Sequence, residues 1–287
     1  MWLRHDSRLW RKAFALGVEH GPDFLVRFSP PVFGVAFGAA LAGPRVRVRE
    51  TLRLILGPQE PARELALVAE VFANFASSMT EGMLVAAGRG YEASCRSAGG
   101  AHYTEALGAG RGVIVATAHT AGWEIGSSLA QAHGAGRSVV VVMAAERDRG
   151  ARELSDAYRE KRGLRVMHVG GDPLSAMPLL RHLRDGGVAA MMLDRVADGM
   201  RTRQARLFGE PFRVSDGLLR LAALTGASIV PAFTRRLGFL EYETVQFPAL
   251  HCAARPTDAA LDAAAAELCA CFEAFLRDNP TQWFRFG

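Results

Sequence analysis

Apolar positions along the chain change rhythm near residue 100. Between Glu60 and Ala87, Leu65, Leu67, Val68, Val71, Phe72 and Phe75 recur at helical spacing, and the run ends in Gly88 and Gly90. That pattern predicts one long amphipathic helix. Upstream, residues 30–42 read PPVFGVAFGAALA, mostly apolar but shorter than the roughly 20 residues that a spanning helix needs. This stretch is expected to dip into one leaflet or to pack against protein. At the N-terminus Trp2, Leu3, Leu9, Trp10, Phe14 and Leu16 mingle with Arg4, Arg8, Arg11 and Lys12, a mixture that suits a bilayer interface and equally a helix packed on its own domain. No apolar core followed by a small-residue cleavage site marks a signal peptide.

From Gly112 the rhythm becomes one of short β-branched runs, at 112–118, 138–142, 164–168, 188–193 and 228–233, with helical segments between them. Strands alternating with helices imply crossover units and a largely parallel sheet. The expected fold class is therefore α/β, with a mostly parallel central sheet flanked by helices. A helical, membrane-contacting region over residues 1–100 precedes a continuous core over 101–287. Local punctuation agrees: Asp172 precedes Pro173 at a helix start, Ser215 is placed to cap a helix running to Thr225, and Gly226 stands where a left-handed terminal residue belongs. The last helix is expected from about Thr257 to Arg277, stopping before Pro280.

Composition narrows the picture only a little. Of 287 residues 49% are hydrophobic, ample for a substantial core, and the net charge of +5 admits an anionic membrane, an acidic carrier protein or a nucleic acid. All basic residues except Lys12 and Lys161 are arginine. The aromatic-basic interleaving of nucleic-acid-binding modules is absent, so no nucleic acid is expected. Cys95, Cys252, Cys269 and Cys271 form no regular ladder, which fits a reducing compartment. Cys269 and Cys271, two apart on a helix, diverge, so no metal site is expected there.

Candidate chemistry begins where the strand GVIVATA delivers the chain to His119-Thr120-Ala121-Gly122-Trp123-Glu124. Functional groups in α/β sheets gather at the carboxyl ends of strands. Five residues along one helix would turn Glu124 roughly 140° away from His119, so a pair requires His119 to leave the strand extended and Gly122 to turn the backbone. In that setting Glu124 would orient one imidazole nitrogen and leave the other free to take a proton from a hydroxyl. Asp194 ends another strand at the same expected edge, suited to a substrate hydroxyl, to organising the arginines that follow, or to a structural ion pair. Arg195, Arg201, Arg203 and Arg206 crowd the next segment and suit phosphate groups; Arg159 and Arg162 lie on the helical stretch between the runs at 138–142 and 164–168. Met143, Met191, Met192 and Phe208 are flexible or flat apolar groups, suited to lining an apolar channel or to plain core. His133, His168, His182 and His251 have no ligand-spaced partners and read as structural or exposed.

Several of these blocks, in order, resemble the lipid A biosynthesis (lauroyl/myristoyl) acyltransferases of the lysophospholipid acyltransferase superfamily. AHTAGWEIG is similar to that family's His-x4-Asp/Glu block, with Gly122 where Asn is common. MMLDRVADG resembles a strand ending in Asp-Gln, with Arg195 in place of Gln, and LFGEP followed by LRLAALTGASIVP resembles its Phe-Phe-Gly-x-Pro block and helix. NPTQWF is similar to the closing Pro-x-Gln-Trp-x-Trp. The resemblance runs from about residue 30 onward. It implies transfer of a fatty acyl group from an acyl carrier protein or coenzyme A thioester to a hydroxyl or amine of a lipid acceptor, with no cofactor and no metal. His119 and Glu124 are the implied catalytic dyad, and Trp123, Asp194, Arg195, Arg203, Arg206, Phe208 and Gly209 the implied substrate contacts. The implied setting is the cytoplasmic face of a bacterial inner membrane, peripheral or monotopic, on an anionic surface. The departures are the end at Gly287 before the family's usual basic tail and the weak N-terminal membrane helix. They leave open another glycolipid, an amino-acid lipid or a natural product as acceptor, or a thioesterase using the same dyad.

Overall fold

Pairs of small and branched residues set the layers of this protein. In the strand Val113–Thr117, Val113 and Val115 point to one face and Ile114 and Ala116 to the other, and all are buried. A strand buried on both sides is what a parallel sheet covered by helices requires. The computed structural model describes residues 8–126, 134, 136–144, 156, 165–170, 173–196 and 200–286, with backbone alone for 8–13, 144, 173 and 174. The expectations placed on Trp2, Leu3, Arg4, His133, Arg159, Arg162 and Asp172, and on the side chains of Leu9, Trp10, Arg8, Arg11 and Lys12, lie outside that description.

Elements follow in the order α1 (Arg8–His20), α2 (Asp23–Phe28), α3 (Pro30–Ala40), α4 (Ala42–Leu56), α5 (Pro61–Ala86), β1 (Ser94–Ala98), α6 (Gly100–Gly108), β2 (Val113–Thr117), β3 (Val139–Ala144), β4 (Arg165–Val169), α7 (Met177–Arg184), β5 (Val188–Met192), β6 (Thr202–Leu207), β7 (Glu210–Ser215), α8 (Asp216–Thr225), β8 (Ser228–Gly238), β9 (Glu241–Gln246) and α9 (Asp258–Asp278). Among the described residues seven strands form one sheet in the order β1-β9-β8-β2-β5-β3-β4. It is parallel except at the β8–β9 hairpin. Strands β6 and β7 form a separate antiparallel hairpin. One face of the sheet packs on α7, α8 and α9, with Leu179, Leu218, Leu268 and Phe272 fully buried. The other packs on α6 through Tyr103, Ala106 and Leu107.

The expected start of α9 and end of α8 stand where the pattern puts them. Thr257 caps α9, its hydroxyl accepting the Ala260 N–H at 3.2 Å. Gly226 closes α8 in the left-handed region at φ 70°, whereas Ser215 precedes α8 without a side-chain cap bond.

In the N-terminal half, α3 is too short to span a bilayer, and no described helix is long and apolar enough to cross a membrane. Gly34 and Gly38 press this helix against Phe72 of α5, where a Cβ at either glycine would collide. The opposite side of α2 and α3 carries an apolar patch: Phe24, Phe28, Val32 and Phe33 are all strongly exposed, Phe33 to 70%. In α1, Ala15 and Val18 face inward while Phe14 and Leu16 face out.

Candidate active site

Parallel pairing places the two carboxyl-end residues side by side. Strand β2 pairs with β5 in the register Thr117↔Met192, and the ladder continues one step, the Leu193 N–H donating to the Thr117 carbonyl at 2.8 Å. Two residues beyond each strand's last rung stand His119 and Asp194. Adjacent strands lie about 4.8 Å apart, so these side chains meet: His119 Nδ1 is 2.9 Å from Asp194 Oδ1, and the His119 backbone N–H donates to Asp194 Oδ2 at 3.1 Å. With Nδ1 engaged on a carboxylate that carries the charge, the ring proton sits on Nδ1 and Nε2 is the nitrogen that can accept one. The His119 side chain is 23% exposed and that of Asp194 only 2%.

Asp194 therefore fills the place at Nδ1 that the spacing His-x4-Glu suggests for Glu124. The reason is geometric. Gly122 does turn the backbone, with φ 73°, but the turn leads into a helical segment at 123–126. Glu124 is partly buried there, while a residue from the neighbouring strand already faces the imidazole. A Cβ at 122 would run into the Tyr242 ring, so the turn is also a point of close packing. Beneath it Tyr242 donates to Glu81 Oε2 at 2.6 Å, Leu240 N–H donates to the same oxygen at 3.0 Å, and Arg236 Nε donates to Oε1 at 2.8 Å. Burial and the adjacent Glu81 carboxylate push the Tyr242 hydroxyl well above its ordinary value. Trp123 stands edge-on to the imidazole with ring centroids 6.2 Å apart.

A third segment completes the site from the far end of the chain. Thr120 and Trp283 form an isolated antiparallel bridge. Its rungs are Ala121 N–H to the Gln282 carbonyl at 3.0 Å and Phe284 N–H to the His119 carbonyl at 2.9 Å. The Trp283 indole N–H donates to Asp194 Oδ2 at 2.9 Å. Burial presses the Asp194 carboxyl towards its neutral form most strongly, but the charge and hydrogen bonds of His119, joined by the Trp283 donor, outweigh it and hold the group below the usual carboxylate range. Motif resemblance picks out Trp283 in NPTQWF; nothing in local spacing connects it with Asp194, 89 positions away.

The remaining candidates are distributed differently. Arg195 donates to the Phe284 carbonyl at 2.9 Å, at the edge of the same site. Arg203 lies in β6 and donates to Asp216 at 2.8 Å, Asp258 at 2.6 Å and Asp262 at 3.2 Å, which ties the hairpin to α8 and α9. Arg206 is exposed and donates to the Gly209 carbonyl at 2.6 Å. Phe208 and Gly209 are the central residues of the β6–β7 turn, with φ 51° and 81°, the positive pair that a two-residue type I′ loop demands. Phe208 leans on α9, its N–H donating to Glu273 and its ring under Arg277. Arg201 is exposed, with its carbonyl accepting from Asp216 N–H. Met191 lies in the sheet core, and Met143 is partly buried against the α6 face. His182 contacts the Val188 carbonyl, His251 contacts Ser228, and His168 pairs with Asp156 at 2.7 Å. Among the described residues no group of three metal-ligating side chains converges.

On the α6 face a cavity of about 150 Å³ lies between the sheet and α6, floored by Val115, Val230 and Ala232 and edged by Tyr103, Thr244 and Gly126. Gly126 closes the 123–126 turn, its N–H donating to the Gly122 carbonyl at 2.9 Å, so the cavity adjoins the segment that follows His119.

Comparison with known proteins gives this edge a context. Two phosphatidylinositol mannoside acyltransferases of Mycobacterium tuberculosis, from strains CDC 1551 / Oshkosh and ATCC 25618 / H37Rv, are 33% and 32% identical to this chain over 158 residues. The match covers 53% of the chain and 47% of each relative, so the chain aligns with about half the length of these proteins. The family described as bacterial lipid A biosynthesis acyltransferase matches residues 10–286, which takes in the helical half, His119, Asp194 and Trp283 together, and the chain belongs to that family.

Proposed function

We propose that the protein transfers a fatty acyl group from the thioester of acyl carrier protein or coenzyme A to a hydroxyl of a glycolipid at a membrane surface. The observation that carries this reading is the His119–Asp194 pair at the carboxyl edge of the sheet, with Nδ1 held and Nε2 left to act. Nε2 takes the proton of the acceptor hydroxyl while its oxygen attacks the thioester carbonyl carbon. The tetrahedral oxyanion then collapses, the carbon–sulfur bond breaks, and the imidazolium returns its proton to the departing thiolate. Asp194 stabilises the imidazolium in between, as the buried carboxylate of a hydrolase triad does, with the acceptor's own hydroxyl in place of serine. Glu124 is assigned to ordering the acceptor, and N–H groups at the start of the 123–126 turn to the oxyanion. The cavity floored by Val115, Val230 and Ala232 suits part of an acyl chain.

The glycolipid acceptor is supported by the mannoside lipid named for the similar mycobacterial enzymes. Membrane contact is supported by the outward Phe24, Phe28, Val32 and Phe33 of α2 and α3, whose aromatic and aliphatic groups suit burial at the headgroup boundary. A bacterial inner membrane, at its cytoplasmic face, is where the thioester donors and such acceptors meet.

The test is an incubation with fatty acyl thioesters of acyl carrier protein and of coenzyme A, together with phosphatidylinositol mannosides or a lipid A precursor, followed by mass analysis of the lipids. Acylated glycolipid is expected. Release of free fatty acid alone overturns transfer in favour of hydrolysis. His119→Ala is expected to lower kcat by about 10³-fold or more, and Glu124→Ala by about tenfold or more, with both proteins folded. Near-normal turnover in His119→Ala sinks the mechanism.

A further inference from the structure

We propose that Trp283 is a positioning residue for the reaction: its indole N–H fixes the Asp194 carboxylate in the orientation at which the other oxygen meets His119 Nδ1. The inference rests on the reading of His119 as the base, but one arm of its test does not depend on turnover.

Asp194 presents two oxygens with separate duties. Oδ1 meets His119 Nδ1 at 2.9 Å, and Oδ2 accepts both the His119 backbone N–H at 3.1 Å and the Trp283 indole N–H at 2.9 Å. The first two bonds come from the same residue and would follow it if the loop shifted. The indole bond comes from another segment and is the one that resists rotation of the carboxylate plane.

Trp283 is itself immobilised. It is 2% exposed and stands edge-on to Phe272, with ring centroids 5.1 Å apart, and to Phe212 at 6.4 Å. Its backbone neighbours are bonded to the His119 loop through Ala121 and Phe284, and Arg195 reaches from the loop after β5 to the Phe284 carbonyl. One short segment thus joins the loops that follow β2 and β5, which carry the two members of the pair.

The chemistry of the donor matters as much as its placement. Indole N–H donates only, carries no charge and has no acidity in the working range. It can satisfy a buried carboxylate oxygen without neutralising the charge that the imidazolium needs. Among the described residues, Arg195 donates to the Phe284 carbonyl and Arg285 lies over the Trp283 ring at 5.4 Å, and neither forms an ion pair with Asp194. Glu124 is the other titratable group on the His119 loop and its turn.

The experiment compares wild type with Trp283→Phe and with Trp283 replaced by 3-benzothienylalanine, in which sulfur stands for the N–H at nearly the same volume. The second variant keeps the packing even if the first folds poorly. The expected result in both is a kcat lower by about tenfold, the scale of one hydrogen bond to a charged group, with KM little changed. The acid limb of the kcat/KM profile is expected to move to higher pH, because an oxygen that loses a donor pulls harder on the imidazole proton. The His119 titration, followed by nitrogen NMR, is expected to move the same way. A wild-type kcat, pH profile and titration in the benzothienyl variant would show Trp283 to be packing alone and would overturn the proposal. If wild type turns over none of the thioesters, the NMR titration decides by itself. A shift then sustains the positioning role while the acyl-transfer reading falls, and no shift overturns the role.

Discussion

Asp194 and Asp216 are two buried aspartates, each just past the end of a strand, and they are held in opposite ways. Burial works against the charge of both, and in both the partners win, so both carboxyls sit below their usual range. Asp216 accepts from Arg203 Nε at 2.8 Å and Arg220 Nε at 2.5 Å, and Arg203 also binds Asp258 and Asp262. Its charge is matched by fixed cations. Asp194 accepts from an imidazole, a backbone N–H and an indole N–H, so its bonds are satisfied while its charge is left to respond to a proton arriving on His119. The first arrangement fastens the β6–β7 hairpin to the helices. The second sets a carboxylate against a histidine at the sheet edge, the pair to which the proposed transfer assigns its chemistry.

Substitutions at the two sites can break that distinction. The largest effect is expected for Asp194→Asn, which keeps shape but removes the charge. Its kcat should fall by about 10³-fold with little change in the folded fraction, and initial rates with a thioester donor measure it. Activity near wild type would reduce Asp194 to a structural residue like Asp216. Asp216→Asn should do the reverse. We expect a loss of about 2 kcal/mol in stability, less than for an isolated buried pair because Arg203 keeps Asp258 and Asp262, with kcat within about twofold at a temperature where the variant is folded. Urea unfolding at neutral pH, alongside activity, separates the two outcomes.

The smallest effect is expected from pH. A carboxyl depressed by folding contributes stability that is complete above its unfolded value, about 3.9 for aspartate, and that is lost as pH falls through the lower folded value. The urea midpoint of wild type should therefore fall on acidification below about pH 4 more steeply than that of Asp216→Asn, and the two should approach each other. Parallel curves would mean that the arginines around Asp216 hold no differential charge energy.

Much of the fold was legible because its signals are local. The β-branched runs, Gly226 and the Thr257 start of the last helix each act within a few residues, and each is where the pattern puts it. The β6–β7 hairpin was not legible in the same way. Its residues read as an arginine-rich loop, since Arg203 and Arg206 suggest phosphate binding and a Phe at positive φ is an unusual turn residue. The cations in fact serve three aspartates and a turn carbonyl. The stretch at 30–42 was readable as apolar and short, but its division into a glycine side against Phe72 and an outward aromatic side depended on α5.

The His119–Asp194 pair shows the same limit most sharply. The sequence by itself determined that His119 and Asp194 each end an apolar strand, because burial on both faces needs continuous apolar residues and polarity returns only at the sheet edge. It did not determine that these two strands are neighbours. In a parallel sheet each adjacency is made by a crossover, and hydrophobic pattern carries no record of which strand lies beside which. The order that puts β5 next to β2, and the return of the chain that brings Trp283 onto Asp194, were decided by tertiary packing. That packing is why the carboxylate facing Nδ1 is Asp194 rather than the glutamate five residues away.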